Sequence, residues 1–305
     1  MLAVAVVALR GRWDAVGDAG GLPGLGPSVA AVLIFAVANA LLAATWRGVL
    51  QAAGSTIGLR AAMWVWAASQ LARYSLSAAQ VAGRAVLGRR YGLTRTAGAF
   101  SALVEIGWQT SISAVLVLGT LPWWLGAGPE LTWLAWAGLL PAAVLLVGLV
   151  APNRLLQGVA TALGWGPLAR LIRGRLSGLD TKLSLSRGRA ARLTVRYAVN
   201  SALRLVGFLV LFSALGGDLS QDWLLAVGAA SLGQLVGRLA VFAPGGLGPR
   251  ESATALVVAQ VIGGAPALML VAATRLLELI AEFLFLAVGW LLRPQTEPQP
   301  AAVNP

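Results

Sequence analysis

An all-α, polytopic membrane fold of about seven transmembrane helices, with re-entrant or broken helices between them, is what this sequence predicts. Three observations carry the prediction. Of 305 residues, 58% are hydrophobic and 11% charged, with a mean hydropathy of +0.79, whereas a soluble domain is roughly 45–50% apolar and ~25% charged. Apolar runs of bilayer length recur along the chain. The cations gather in some connections and are absent from others, as the positive-inside rule requires. A single transmembrane domain over residues 1–292 takes up nearly all of the chain, and the proline-rich tail 293–305 is expected to be disordered.

Taken in order, residues 2–9 are apolar, but a helix of that length rises only ~12 Å against a hydrocarbon core of ~30 Å. They are expected to be the end of a first span that is truncated here. A breaker loop containing Pro23, Gly24, Gly26 and Pro27 precedes a span over residues 28–45. Between Trp46 and Arg95, arginines such as Arg47, Arg60, Arg73 and Arg84 interrupt segments too short or too polar to cross, the pattern of interfacial or re-entrant helices. A span over residues 97–121 leads to a cation-free loop, 122–130, and residues 133–150 return. The basic connection 153–196 carries nine cations against the single acid Asp180, which assigns it to the cytoplasm. Residues 197–215 cross outward to the cation-free loop 216–222, and residues 223–242 return. A broken segment, 243–264, precedes a last long helix over residues 266–292. Trp123, Trp124, Trp133, Trp223 and Trp290 fall near the expected span ends, where an aromatic belt belongs.

Composition also restricts chemistry. The chain has no His and no Cys, so imidazole and thiolate metal sites, Cys nucleophiles and Ser-His or Cys-His pairs are ruled out. No enzymatic activity, metal or cofactor is expected. The formal charge of +12 comes from cations lying between apolar spans rather than on a soluble fold. The expected partners are therefore membrane lipids with anionic headgroups, not nucleic acid.

The most specific stretch is Pro244-Gly245-Gly246-Leu247-Gly248-Pro249-Arg250-Glu251. Its prolines and glycines end a helix, and residues 252–262 then suit a half-helix starting inside the membrane. Exposed N–H groups of Gly245, Gly246 and Gly248, the positive end of that half-helix and the Arg250 guanidinium would together suit a phosphate or carboxylate. A plain turn with Arg250 and Glu251 snorkelling outward is the competing reading. Glu251 is expected to hold Arg250 or to pair with Arg238. In the last helix Arg275, Glu278 and Glu282 fall within roughly 60° of one another, a charged stripe that must face protein or water. Tyr197, Asn200, Ser201 and Arg204 form a polar face, while Glu105 stands alone in its span. Two accounts stay open: a substrate-lining cavity, or a self-compensating network pairing Arg275 with Glu278 or Glu282 and Arg204 with Glu105.

The string from Pro244 to Glu251 resembles the Pro-Gly-Gly-Leu-Gly-x-Arg-Glu signature of the lysylphosphatidylglycerol synthase transmembrane-region family. Further matches are Trp46-Arg47, the Gln70-Leu71-Ala72-Arg73-Tyr74 run, Arg89-Arg90-Tyr91-Gly92-Leu93, Glu105 and Arg275. Ser75-Leu76-Ser77-Ala78 stands where the family often has Pro-Gly, and Ile106 where an Arg commonly follows the acid. The resemblance implies a stand-alone flippase domain in a bacterial cytoplasmic membrane. Such a domain would move an anionic or modified lipid, an aminoacyl-phospholipid or a polyprenyl-phosphate-linked one, between leaflets. Arg73 and the charged groups above would then contact the headgroup, with Glu105, Glu278 and Glu282 as the available proton carriers. A non-transporting subunit that recruits a lipid-modifying enzyme or glycosyltransferase is the alternative, and a homo-oligomer or an enzyme partner suits either reading. Residues 74–105 and 242–278 share a layout of break, short helix, glycine and long acid-bearing helix, which suggests an internal repeat.

The charge asymmetry predicts that residues 153–196 face the cytoplasm and residues 122–130 and 216–222 the opposite side. In this cysteine-free chain, Ser184→Cys should resist a membrane-impermeant thiol reagent on intact cells and react after permeabilisation. Labelling of intact cells would reverse the orientation.

Overall fold

The computed structural model describes residues 22–52, 54–75, 79–124, 186–240 and 243–294. The expected first-span remnant 2–9, the span 133–150, most of the basic connection and the tail beyond residue 294 lie outside the described residues. Eight α-helices are present among the described residues: α1 (Leu25–Ala52), α2 (Leu59–Ala72), α3 (Ala79–Leu87), α4 (Arg95–Trp124), α5 (Arg187–Ala214), α6 (Leu219–Leu239), α7 (Pro249–Ile262) and α8 (Gly264–Leu292). Short 3-10 turns occupy Gly88–Tyr91 and Pro244–Gly246.

Three of these helices are long and apolar enough to cross a membrane: α1, Ala97–Trp124 of α4 and Gly188–Ala214 of α5. Three of the seven expected spans are thereby found among the described residues, which are helical and belong to a multi-pass membrane protein. Helices α2 and α7 have 14 residues each and rise only ~21 Å, too little to cross alone. Helix α5 begins ten residues before the expected span start, because Arg189, Arg192 and Arg196 extend it as exposed turns. Outward-facing positions are apolar along the long helices. Val29, Leu33 and Val37 make an exposed i, i+4 stripe on α1, and Leu276, Ile280, Phe283 and Leu284 are exposed on α8. In water such stripes would be a liability; against acyl chains they are the favourable surface. At the cation-free turn before α6, Asp218 caps the helix by accepting hydrogen bonds from the Ser220 N–H (2.8 Å) and hydroxyl (2.7 Å), which hold its exposed carboxyl below the usual range.

The succession of elements runs twice. Helices α1 to α4 go long, medium, short, long, and α5 to α8 do the same, with a positive-φ glycine between each short helix and the long one after it: Gly92 (φ 81°) and Gly263 (φ 80°). Packing follows the same rule. The first helices of the two halves, α1 and α5, lie together; α4 packs on α6 and α8 on α2; and within each half the short helix lies against the long one. One core gathers Trp46, Val65, Trp66, Trp108 and Phe285, and a second gathers Phe35, Phe208, Phe212, Leu225 and Leu270.

The breaker loop requires glycine at Gly246, whose φ is +70° and whose Cβ, if present, would lie 2.7 Å from the Gly237 carbonyl oxygen on α6. Both strain and a backbone clash therefore oppose any side chain there. Gly246→Ala should cost at least about 1–2 kcal/mol and lower the unfolding temperature of the detergent-purified protein. Gly107→Ala in α4, where nothing lies within 4 Å of the added methyl, should leave it unchanged. Equal effects would remove the close approach as the cause.

Candidate functional site

The polar centre is built from the charged stripe of α8. Arg275, Glu278 and Glu282 are buried at 8%, 3% and 6% exposure, and the 3.6-residue period places them on one face, turned inward. A buried carboxylate needs a compensating partner, and Glu278 has three. Arg250 of α7 donates to its Oε1 at 2.8 Å, Arg204 of α5 lies 3.7 Å from the same oxygen, and Arg275 lies 3.7 Å from Oε2. Arg204 also donates to Asn39 Oδ1 of α1 at 2.7 Å. Four helices are thus drawn to one carboxylate and its ligands.

A second layer closes one side. Arg73, at the end of α2, and the Tyr74 hydroxyl (2.7 Å) both donate to Glu282. Arg73 also donates to Gln70 at 2.9 Å. The tips of the two interrupted segments meet through the backbone: the Gly245 N–H donates to the Arg73 carbonyl at 2.7 Å, and Arg275 donates to the Gly245 carbonyl at 3.0 Å while lying over the Tyr74 ring.

The expected use of the loop's N–H groups is overturned. Gly245 donates to Arg73, Gly246 to Ala243 at 2.9 Å, and Gly248 to Glu251 Oε2 at 2.8 Å. All three donors are consumed inside the protein, and Glu251 occupies the helix N-terminus that an anion would have used. The loop positions Arg250 instead of binding a headgroup by its backbone. Glu251 pairs with neither Arg250 nor Arg238; its Oε1 lies 3.7 Å from Arg275 Nε. Arg238 donates to Ser113 Oγ (2.7 Å) and to the Gln109 carbonyl (3.2 Å) and side-chain oxygen (3.1 Å) of α4.

Glu105 is also corrected. It does not meet Arg204 and does not stand alone: Arg84 of α3 donates to it at 2.7 Å, and the Trp66 indole N–H approaches both of its oxygens at 3.3 Å. Arg84, 1% exposed, lies over the Trp46 and Trp66 rings. This pair is walled off in the first core and does not line the cavity. Tyr197, expected on a polar face, is fully buried and stacks on Trp108 instead. Arg84 and Asn39 are the residues that sequence reasoning passed over. A polar residue isolated in an apolar run was the signal for Asn39.

Between the second-half helices and α4 lies a small polar cavity of about 50 Å³ that is open on one side. Its charged lining is Arg204, Arg238, Arg250 and Arg275 with Glu251 and Glu278. Asn200, Ser201, Gln234 and Thr254 supply neutral polar surface, and Leu116 and Phe208 supply apolar wall. Of the expected site residues, six therefore share the cavity, Arg73, Glu282 and Gly245 brace it, Gly246 and Gly248 shape the loop, and Glu105 is elsewhere. Four guanidinium groups in one cavity make the arrangement chemically suited to holding an anion.

The family described as Lysylphosphatidylglycerol synthase TM region matches residues 3–286. Comparison with curated proteins and with solved structures finds no match. The family match spans nearly the whole chain, which belongs to that family, a membrane domain associated with lipid-related function.

The sealed Arg84–Glu105 pair should behave as structure rather than site. Glu105→Gln leaves Arg84 buried without its counter-charge and should cost about 3–5 kcal/mol, whereas Arg84→Met with Glu105→Leu should regain most of that. Thermal unfolding of the three purified proteins checks this; a double variant no better than the single would contradict it.

Proposed function

We propose that this member of the lysylphosphatidylglycerol synthase transmembrane-region family moves a lipid between leaflets of a bacterial cytoplasmic membrane, with no chemical step of its own. The observation that carries the reading is the arginine-rich cavity inside a helical body whose outer faces are apolar. A headgroup fits the first environment and acyl chains the second. Binding at such a site is electrostatic and bidentate, since guanidinium forks match phosphate and carboxylate oxygens. The cargo class is an anionic or modified lipid, with aminoacyl-phospholipids and polyprenyl-phosphate-linked lipids as its two chemistries.

Discontinuous segments suit this task. The tips of the first and second interrupted segments touch through Gly245 and Arg73, and relative movement of two such elements is the usual means of exposing a central site to one side and then the other. Glu278 and Glu282 are both held by arginines from other elements, so these ion pairs join the segments that would have to move.

Arg250 is the most direct test. Its removal leaves Glu278 with Arg204 and Arg275 nearby at 3.7 Å, so the carboxylate is not orphaned and folding should survive. Arg250→Ala should abolish headgroup translocation in proteoliposomes while the unfolding temperature stays close to wild type. Arg250→Lys should retain part of the activity, because the charge remains and the fork is lost. Wild-type translocation by a folded Arg250→Ala protein would overturn the site.

A further inference from the structure

We infer that the headgroup this cavity takes is a phosphate carrying two negative charges, a phosphomonoester or a pyrophosphate, and that singly charged diesters and cationic aminoacyl lipids are discriminated against. The inference rests on reading the cavity as the headgroup site. It comes from a charge count. Among the described residues, four arginines and two glutamates line the cavity, an excess of two positive charges. The adjoining Arg73 is balanced by Glu282 and leaves that excess unchanged.

The distribution of the excess matters as much as its size. Glu278 is shared among Arg204, Arg250 and Arg275, and Glu251 is divided between Arg275 and the Gly248 N–H. Arg238 has neutral acceptors only among the described residues, on Ser113 and Gln109. Its charge waits for a counter-ion. Buried polar atoms beside these groups also lack hydrogen-bond partners: the Ser231 and Thr274 hydroxyls, and Arg275 Nε, whose contact with Glu251 at 3.7 Å is an ion pair only. Two hydroxyls and a guanidinium N–H with donors to spare suit phosphate oxygens, which are acceptors only.

An uncompensated charge in a partly buried site is costly, and the ligand that cancels it is favoured over one that does not. A phosphomonoester above its second pKa of about 6 brings nearly two negative charges, and a pyrophosphate link brings two. A diester such as phosphatidylglycerol cancels only half of the excess. A zwitterion cancels none, and a lysyl ester of phosphatidylglycerol, with two amines and one phosphate, adds to it.

The test is calorimetric titration of the full detergent-purified chain at pH 7.5 with short-chain probes: dihexanoyl phosphatidic acid, dihexanoyl phosphatidylglycerol, its lysyl ester, and inorganic pyrophosphate. Phosphatidic acid should bind at least about tenfold more tightly than phosphatidylglycerol, and the lysyl ester most weakly. Arg238→Gln, which halves the excess and keeps an amide donor toward Ser113, should bring the first two to within about threefold of each other. Arg204→Gln, on a different helix, should do the same, so misfolding of one variant leaves the other to decide. Equal binding of mono- and dianionic lipids by the wild type, or tighter binding of the lysyl ester, would overturn the inference while leaving lipid translocation standing. Pyrophosphate binding as tightly as phosphatidic acid would support the charge class but assign it to a free anion, against the translocase reading.

Discussion

Glu278 is one carboxylate answering to three guanidinium groups, and most of the second half of the structure is arranged so that this can happen. Arg204, Arg250 and Arg275 come from α5, α7 and α8. Brought together in a body with little water, three like charges would drive those helices apart. The carboxylate between them turns repulsion into a junction. For Arg250 to reach it, α7 has to begin close to α6 and α8, and that is what the Pro244 to Pro249 loop accomplishes. The loop in turn needs glycine where it presses on Gly237 of α6. One electrostatic constraint thus reaches back to the choice of residue at a turn.

The two halves use the same device for different ends. In each, an arginine of the short helix pairs with a glutamate of the following long helix: Arg84 with Glu105 at 2.7 Å, and Arg250 with Glu278 at 2.8 Å. In the first half, the Trp46 and Trp66 rings cover the guanidinium, and the pair is sealed, with Ser69 accepting from Arg84 Nε and the Trp66 indole donating to Glu105, while Arg84 Nη1 has no hydrogen-bond partner. In the second, additional arginines crowd the carboxylate and the space beside it stays open. A repeat therefore need not supply two working sites. Here one copy seals its ion pair inside the helical body and the other leaves its charges beside an open cavity.

Much of this was legible from residue order. The apolar runs placed the long helices, the proline and glycine cluster placed the break before α7, and helical periodicity put Arg275, Glu278 and Glu282 on one inward face. The partners were not legible, because pairing is a matter of tertiary distance. Nothing in the spacing alone separates Arg84 from Arg204 as the partner of Glu105, since how α3 and α5 approach α4 is decided by packing. The loop misled for a related reason. Its glycines do free the backbone, but the freed N–H groups are taken by Arg73, Ala243 and Glu251, and only the folded contacts reveal that they are spent.

The claim that Glu278 organises the three arginines is tested most directly by double-mutant cycles. Glu278→Gln would be combined in turn with Arg204→Gln, Arg250→Gln and Arg275→Gln, and stability followed by unfolding in detergent. The account predicts coupling energies above about 0.5 kcal/mol in all three cycles, largest for Arg250, which makes the shortest contact. Additive effects in all three, within about 0.3–0.5 kcal/mol, would mean that the arginines are held by their own helices and that the carboxylate is one neighbour among many.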